Sequence, residues 1–535
     1  MVWNGRALGR AVGALGWIVA AGWFTWWQAA HRADVLYNTA IYPISDADEW
    51  RYTACSRLVA HGDALFRQVY SAQPPLLFAA LASSMRLFGD SIAGARVVEI
   101  LFGVLGLTAI AWLTWVLAGP VAAAAASLLL AVSPAFLVYS HAVEAEGPMA
   151  ALVALAMALA ASYRALATRE VHEGATDEGT NLLIREHPGR KPERGRRGAR
   201  PAWVEAGSSA GTQRWARVGL PSLPMFAGLV MALAILTKLF AIEALVPGIF
   251  LVALPVERRA RAVTLFLAAA LLPVVAEMVL VAPQQQFQQV ISLHTRAGAL
   301  LPPGTSPSWL ILWHLFQLDA GLSLLALAGV AVLAALGVWE DLGFLVLWLG
   351  GQAVMLLLFR PLFPHHPAIL LPAMAVPAGI AVTVGVEQLR SHRWLAAVPL
   401  AALFVLYLVL LPHLAHDDRH VVMPGAPARG VALAAFVDAH VPAAGVLATD
   451  ELMVADLAHR SVPPGICDPS NVRLYAGELP ASELISQTRE YHAVMVLPSF
   501  GIFWQVRGYK RWVIRHFQPV TAPYGVTAYV DRAAR

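Results

Sequence analysis

A chain of 535 residues with 58% hydrophobic and 13% charged residues, at a mean hydropathy of +0.61, has too little polar surface for a soluble globular protein, in which about a quarter of residues are charged. It reads as a polytopic α-helical membrane protein. The formal charge of +4 does not indicate a nucleic-acid partner, because the Lys and Arg residues gather in segments on one predicted side, which is a topology signal.

A spanning helix takes about 20 apolar residues, and such runs predict about eleven spans, near 11–30, 93–117, 121–140, 147–165, 220–236, 239–255, 262–281, 309–336, 342–359, 366–386 and 395–414. The first follows Arg6 and Arg10 and ends in Trp26, Trp27 and Gln28 without a small-residue cleavage site, so it reads as an uncleaved helix. The run 309–336 exceeds one span, and its first part, with Trp309, Trp313 and His314, is expected to lie along the interface. With this count Arg6 and Arg10, the cluster from Arg185 to Arg200, Arg258, Arg259 and Arg261, and Arg390 and Arg393 all fall on one side. The positive-inside rule makes that side the cytoplasm. The Arg- and Gly-rich loop 166–219 is expected to be disordered and cytoplasmic.

The loops 31–92, 141–146, 283–308 and 360–365 then face outward, as does everything after about 415. The chain divides into a membrane domain, 1–415, and a small soluble α/β extracytoplasmic domain, 416–535. In the second domain β-like runs such as Val494–Leu497 alternate with helical stretches, Arg429–His440 and Ala481–Tyr491. It carries no Gly-rich phosphate loop and no zinc-ligand spacing. Asp450, after the run Gly445–Thr449, reads as a strand-to-helix cap, with a ligand contact as the alternative. Cys55 and Cys467 are too few for a disulfide framework. Both fall on the outer side, where a bridge is chemically allowed, but sequence supplies no Cα separation and leaves the pairing open.

The densest polar stretch is Asp46-Ala47-Asp48-Glu49-Trp50-Arg51-Tyr52, just after the first span. Charges at a membrane edge are functional candidates because burying them in hydrocarbon is costly; solvated loop residues are the plainer alternative. Further along come Gln73-Pro74-Pro75, Leu87-Phe88-Gly89, Arg96, Glu146-Gly147-Pro148, Leu236-Thr237-Lys238 and Phe363-Pro364-His365-His366. The order of these features, all on the outward side, resembles the GT-C superfamily of polyprenyl-phosphate-sugar-dependent glycosyltransferases, which contains protein mannosyltransferases and lipid A aminoarabinose transferases. In that family an acidic pair and a Tyr open the first outer loop, a Lys-Pro-Pro stretch begins its second juxtamembrane helix, and a Phe-Gly turn leads to an Arg in the second span.

The resemblance covers roughly residues 10–415. It implies a multi-pass inner-membrane enzyme with a polyprenyl-phosphate-linked sugar donor, an extracytoplasmic acceptor and membrane lipid as partners. The chain departs from the family at Gln73, where relatives carry a basic residue, and at Ala72, where some relatives carry a carboxylate. A phosphate contact or metal ligand there is therefore not implied, and the sequence does not support a divalent metal cofactor.

Sugar transfer from a lipid phosphate needs a carboxylate to accept the proton of the attacking hydroxyl and cations or donors to stabilise the departing phosphate. By its match to the family's leading acid, Asp48 is the expected general base, with Asp46 or Glu49 orienting it or touching the acceptor and Tyr52 beside it. Gln73, Lys238, Arg96, Arg51 and Glu146 are the further substrate-binding candidates. Each has a plainer reading: Lys238 as an interfacial lysine, Arg96 as the partner of Glu99, Arg51 as the partner of Glu49 or Asp48, and Glu144 or Glu146 as a helix N-terminal charge. His365 and His366 are expected to hydrogen-bond substrate rather than bind metal, since adjacent residues on a turn diverge and no third ligand lies nearby in sequence. A lipid-linked sugar transporter and a non-catalytic envelope assembly protein remain as alternatives. The outer-rim charges and the absence of an internal repeat argue against the transporter.

Overall fold

A computed structural model describes residues 5–31, 47–186, 222–300, 307–391, 405 and 426–532. Asp46 lies outside the described residues, as does the expected span 395–414 apart from residue 405.

Among the described residues six helices are long and apolar enough to cross a membrane: Leu8–Ala30, Ile92–Ala118, Glu146–Thr168, Val256–Leu280, Trp339–Leu358 and His366–Leu389. Counting a bent pair as one span gives up to seven, and three more of the expected runs hold the shorter apolar helices Pro120–Ala131, Ser222–Thr237 and Leu239–Ala253. Several runs are broken for local reasons. The run 121–140 breaks at Val132–Ser133 into helices Pro120–Ala131 and Pro134–Tyr139, each opened by its proline, a residue tolerated at the first turn of a helix but not inside it. The run 239–255 begins as a 3-10 turn, Leu239–Ala244, and becomes α-helical only over Leu245–Ala253.

The long run 309–336 breaks at Asp319 into Ser308–Leu318 and Ala320–Ala335, which meet at 96°. The buried Asp319 carboxylate accepts from Ser133 Oγ at 2.8 Å and from the Ala135 amide at 3.2 Å, tying two helix breaks together. The helix from Glu146 continues to Glu186. The expected loop 166–219 therefore opens as helix, through residues such as Ala, Arg and Glu that favour one, and its remainder from 187 lies outside the described residues.

Close approach of the spanning helices rests on small residues. A Cβ at Gly329 would sit 1.9 Å from the Pro377 carbonyl oxygen, and one at Gly379 would sit 2.6 Å from that of Ala122. Both contacts fix the helix Leu370–Arg390, which follows directly on His365 and His366.

The C-terminal region is a four-stranded sheet of β1 (Val446–Thr449), β2 (Ala493–Leu497), β3 (Phe517–Thr521) and β4 (Thr527–Asp531), in the order β1-β2-β4-β3. β1 and β2 are parallel, with Leu447 opposite Met495, and β4 runs antiparallel to both β2 and β3. Parallel strands need a crossover, which the helix Ala481–Glu490 helps supply. Asp450 caps a later segment than the sequence suggests: its carboxylate accepts from the amides of Phe500 and Phe503.

One sheet face is not solvated. Leu447, Met495, Leu497 and Ala528 share a continuous hydrophobic core with Trp50, Tyr52, Leu58, Phe78 and Val98 from the first loop and the second long helix. The opposite face, with Ala448 and Val496, packs on Leu484, Phe503, Tyr509 and Val513. A Cys55–Cys467 disulfide, Cα to Cα 5.4 Å, and an Arg57–Asp456 ion pair join the same two regions.

Candidate functional site

The helix Ala47–His61 sorts its polar residues by the 100° turn between neighbours. Asp48, Arg51, Tyr52 and Cys55, at spacings of three and four, lie on one face and line a cavity of about 540 Å³. Glu49 points the other way. It is fully buried and grips Arg96, itself 1% exposed, through two hydrogen bonds of 2.8 and 3.0 Å. A further bond of 3.1 Å from the Val143 amide ends on the same carboxylate. Arg96 thus pairs with Glu49 rather than with Glu99, and neither Glu49 nor Arg96 lines the cavity. Their geometry fixes the rotation of the helix, and with it the direction of Asp48.

Asp48 is ion-paired to Arg51, lies 3.6 Å from His365 Nε2 and has the Tyr52 hydroxyl 3.5 Å away. Burial pushes its carboxyl pKa up, but Arg51 above all, then His365 and Lys238, hold it below the ordinary carboxylate value. The same surroundings, burial first and Asp48 next, push the Tyr52 phenol well above its usual range.

Lys238 follows the helix Ser222–Thr237 with an extended backbone and enters the 3-10 turn. That break turns its side chain inward. Lys238 is 3% exposed and paired with Glu146, so it is not an interfacial lysine. Its ammonium also stands 4.9 Å from the Phe240 ring centroid. Glu146, at the start of its helix, gathers His365 Nε2 and His366 Nε2, each at 3.6 Å.

The two histidines do not diverge as expected, because the turn from Phe363 runs directly into a 3-10 helix, His366–Ile369. Their rings meet edge to face with centroids 4.6 Å apart. The Tyr139 hydroxyl holds the Pro364 carbonyl at 3.0 Å, and the Phe363 amide donates to His366 Nδ1 at 3.1 Å. The neutral ring then carries its proton on Nε2, facing Glu146.

Glu146, His365 and His366, and separately Asp48, Glu144 and His365, present ligand atoms within 4.8 Å of one another. The third ligand that the sequence reading missed is therefore present. The Lys238 ammonium already stands on the Glu146 carboxylate, so lysine and a divalent ion would compete for the same oxygens.

Other cavity residues carry no local signal in the sequence. Arg360, just beyond the helix Trp339–Leu358, lines the wall beside Met355 and Leu358 and takes part in no ion pair among the described residues. His294, whose pKa burial lowers, bonds the Val290 carbonyl at 2.8 Å and faces the same space. Asp468 and Ser470 come from the C-terminal region; Asp468 is 3.6 Å from Arg51, which it shares with Asp48. Arg473, stacked 3.6 Å over the Tyr70 ring, bonds the carbonyls of Gly465 and Asp468 and holds that loop in place. Gln73 lines the cavity in a turn fixed by Ser71. Ile242, Val290, Met355, Leu358 and Phe359 make the rest of the wall apolar.

Residues 72–173 match a family model described as dolichyl-phosphate-mannose-protein mannosyltransferase. The crystal structure of ArnT from Cupriavidus metallidurans bound to undecaprenyl phosphate is similar over 99% of this chain and 98% of its own, with a TM-score of 0.56 at 15% identity. Its apo form gives 0.56 at 16% identity, over 96% of this chain and 99% of that one. The apo oligosaccharyltransferase of Archaeoglobus fulgidus gives 0.50 at 12% identity, over 97% of this chain and 74% of that one. No curated protein sequence matches significantly. The chain thus shares the fold of these solved membrane proteins.

Proposed function

We propose that this chain, which has the fold of the GT-C membrane transferases, is an inverting glycosyltransferase that moves a sugar from a polyprenyl-phosphate donor to a hydroxyl of an acceptor outside the cytoplasmic membrane. The observation that carries this reading is the meeting of Asp48 with Lys238, Arg360 and His366 around one cavity with an apolar wall. A lipid-borne sugar phosphate needs that combination, since the charged head must be neutralised while the chain stays among aliphatic side chains.

In the transfer step the acceptor oxygen bonds to the anomeric carbon as the bond from that carbon to the phosphate oxygen breaks. The electron pair leaves with the phosphate, and the acceptor proton passes to Asp48. Arg360, in no ion pair among the described residues, is assigned to the departing phosphate, with Lys238 lending charge from behind. Asp468 and Ser470 face the base and are assigned to the acceptor. Glu49 and Arg96 are assigned to holding the base-bearing helix rather than to substrate. Glu146, with His365 and His366, sets the charge around Lys238 and Asp48. The positive-inside pattern supports a cytoplasmic N-terminus and an outward C-terminal region.

The test is transfer in liposomes from radiolabelled undecaprenyl-phosphate sugars, the carrier held by the similar ArnT. Asp48→Asn is expected to lose about 10²–10⁴-fold in turnover with unchanged abundance and insertion. Normal transfer by that variant removes the proposed base. Lipid-linked sugar crossing the bilayer with no glycosidic bond formed would favour a transporter.

A further inference from the structure

Both oxygens of Asp48 are already engaged. Oδ1 is ion-paired with Arg51 Nη2, while Oδ2 stands 3.5 Å from the Tyr52 hydroxyl and 3.6 Å from His365 Nε2. A hydroxyl that is to hand its proton to this carboxylate must therefore displace one of these neighbours. On the Oδ1 side the displaced group has somewhere to go. The other terminal nitrogen of Arg51, Nη1, lies 3.6 Å from Asp468 Oδ1, just beyond hydrogen-bonding distance. One guanidinium thus stands between two carboxylates, closed on the first and open on the second.

The second carboxylate is held still. Asp468 follows Cys467, which is bonded to Cys55 on the base-bearing helix. Its carbonyl accepts from Arg473 Nη1 at 3.3 Å, and its own Oδ1 accepts from the Ser470 amide at 3.1 Å. Arg51 is instead a half-buried side chain on the cavity wall, and its planar fork presents separate donors to two carboxylates at once. A shift of less than about 1 Å brings Nη1 into hydrogen-bonding range of Asp468. Asp468 and Ser470 line the same cavity as Asp48, so whatever fills that end of it meets both partners of Arg51.

We propose that Arg51 gates the base. With the acceptor end empty, Arg51 rests on Asp48 and hinders water from attacking the donor. An acceptor entering against the Asp468–Ser470 loop moves the guanidinium onto Asp468 and frees Oδ1 for the attacking hydroxyl. The proposal rests on the transferase reading and adds an order to it: acceptor binding comes before activation of the base, a form of induced fit. Arg51 is thereby a positioning residue that acts through Asp48.

The experiment uses the full chain in liposomes with radiolabelled undecaprenyl-phosphate sugars and no acceptor other than water. In the hydrolysis it reads, the water oxygen bonds to the anomeric carbon as the bond to the phosphate oxygen breaks, the water proton passes to Asp48, and free sugar is counted. Water takes the acceptor contacts of Asp468 out of the readout. Arg51→Gln is expected to raise hydrolysis about three- to tenfold, as loss of one hydrogen-bonded contact does, and adding Asp48→Asn is expected to abolish the gain. Asp468→Asn, which weakens the second resting place of Arg51, is expected to lower hydrolysis below wild type, and Asp468→Glu to restore it. In the Arg51→Gln background Asp468→Asn is expected to change nothing further, a non-additivity that a merely structural role does not produce. Arg51→Met keeps the aliphatic stem and serves in the same cycle should the glutamine variant fold poorly; melting midpoints and thiol labelling of the Cys55–Cys467 pair check each protein. Equal losses from Asp468→Asn with and without Arg51 overturn the gate, as does hydrolysis that Arg51→Gln and Arg51→Met leave unchanged or lower. Absence of both hydrolysis and transfer in every form overturns the transferase reading itself, and the gate with it.

Discussion

Asp48 and Glu49 are consecutive carboxylates on one helix, yet they live in opposite surroundings. Glu49 is sealed against Arg96 and a backbone amide, with all its charge answered inside the protein. Asp48 faces a cavity; Arg51 pairs with it from the next turn of the same helix, and His365 and, through the field, Lys238 reach it from elements far apart in the chain. The sealed pair can only hold shape. The open one can take a proton from something that enters. A 100° step along a helix therefore separates a sealed ion pair from one open to a cavity, and the two can be separated experimentally because they are expected to fail differently.

The largest effect is expected from the sealed pair. Arg96→Met leaves Glu49 charged and buried without its partner, which costs about 3–5 kcal/mol. Loss of abundance and of detergent-solubilised monodisperse protein is the expected readout, in contrast to the silent, well-folded Asp48→Asn. If Arg96→Met is abundant and inactive instead, the two carboxylates share one role and the contrast collapses.

A smaller effect is expected at the phosphate end of the cavity. Arg360→Ala should raise the KM for the lipid donor about tenfold, as loss of one charge-assisted contact does, with little change in acceptor KM. A change in acceptor KM alone would exchange the two ends.

The smallest effect is a pH shift. Arg51 holds the Asp48 carboxyl down, so the proposed base stays ionised, and transfer is expected to persist, to a pH below the ordinary carboxylate range. Arg51→Gln removes that positive charge and lets burial dominate. The acid limb of the kcat/KM profile should therefore move to higher pH, by a step larger than any change in melting midpoint. A limb that does not move assigns it to another group.

Much of this contrast could be read before any fold was known. Asp48, Arg51, Tyr52 and Cys55 fall at helical spacing, and the charge density after the first apolar run marked the segment. The motif order located Lys238, Glu146 and the two histidines on the same side. What stayed illegible depends on tertiary approach. Lys238 meeting Glu146, or Arg96 choosing Glu49 over the nearby Glu99, leaves no trace in local pattern. Arg360 fell at the start of the expected loop 360–365 with no motif around it, and Asp468 lies in a short loop of Pro, Ser and Asn whose closeness to Arg51 only the packed core creates. Breaks inside a run are a different matter: hydropathy measures greasiness, whereas Pro134 and Asp319 decide whether a greasy run stays one rod.

The Cys55–Cys467 link spans 412 residues of sequence, which sets an order on biogenesis. At roughly 5–20 residues per second, the first cysteine leaves the ribosome tens of seconds before its mate exists. Throughout that interval the Cys55 thiol, on the same cavity as Asp48, must go uncapped by any other partner. A truncated product, lacking its last quarter, would carry that thiol permanently unpaired and offer quality-control proteases and thiol reagents a direct mark of incompleteness.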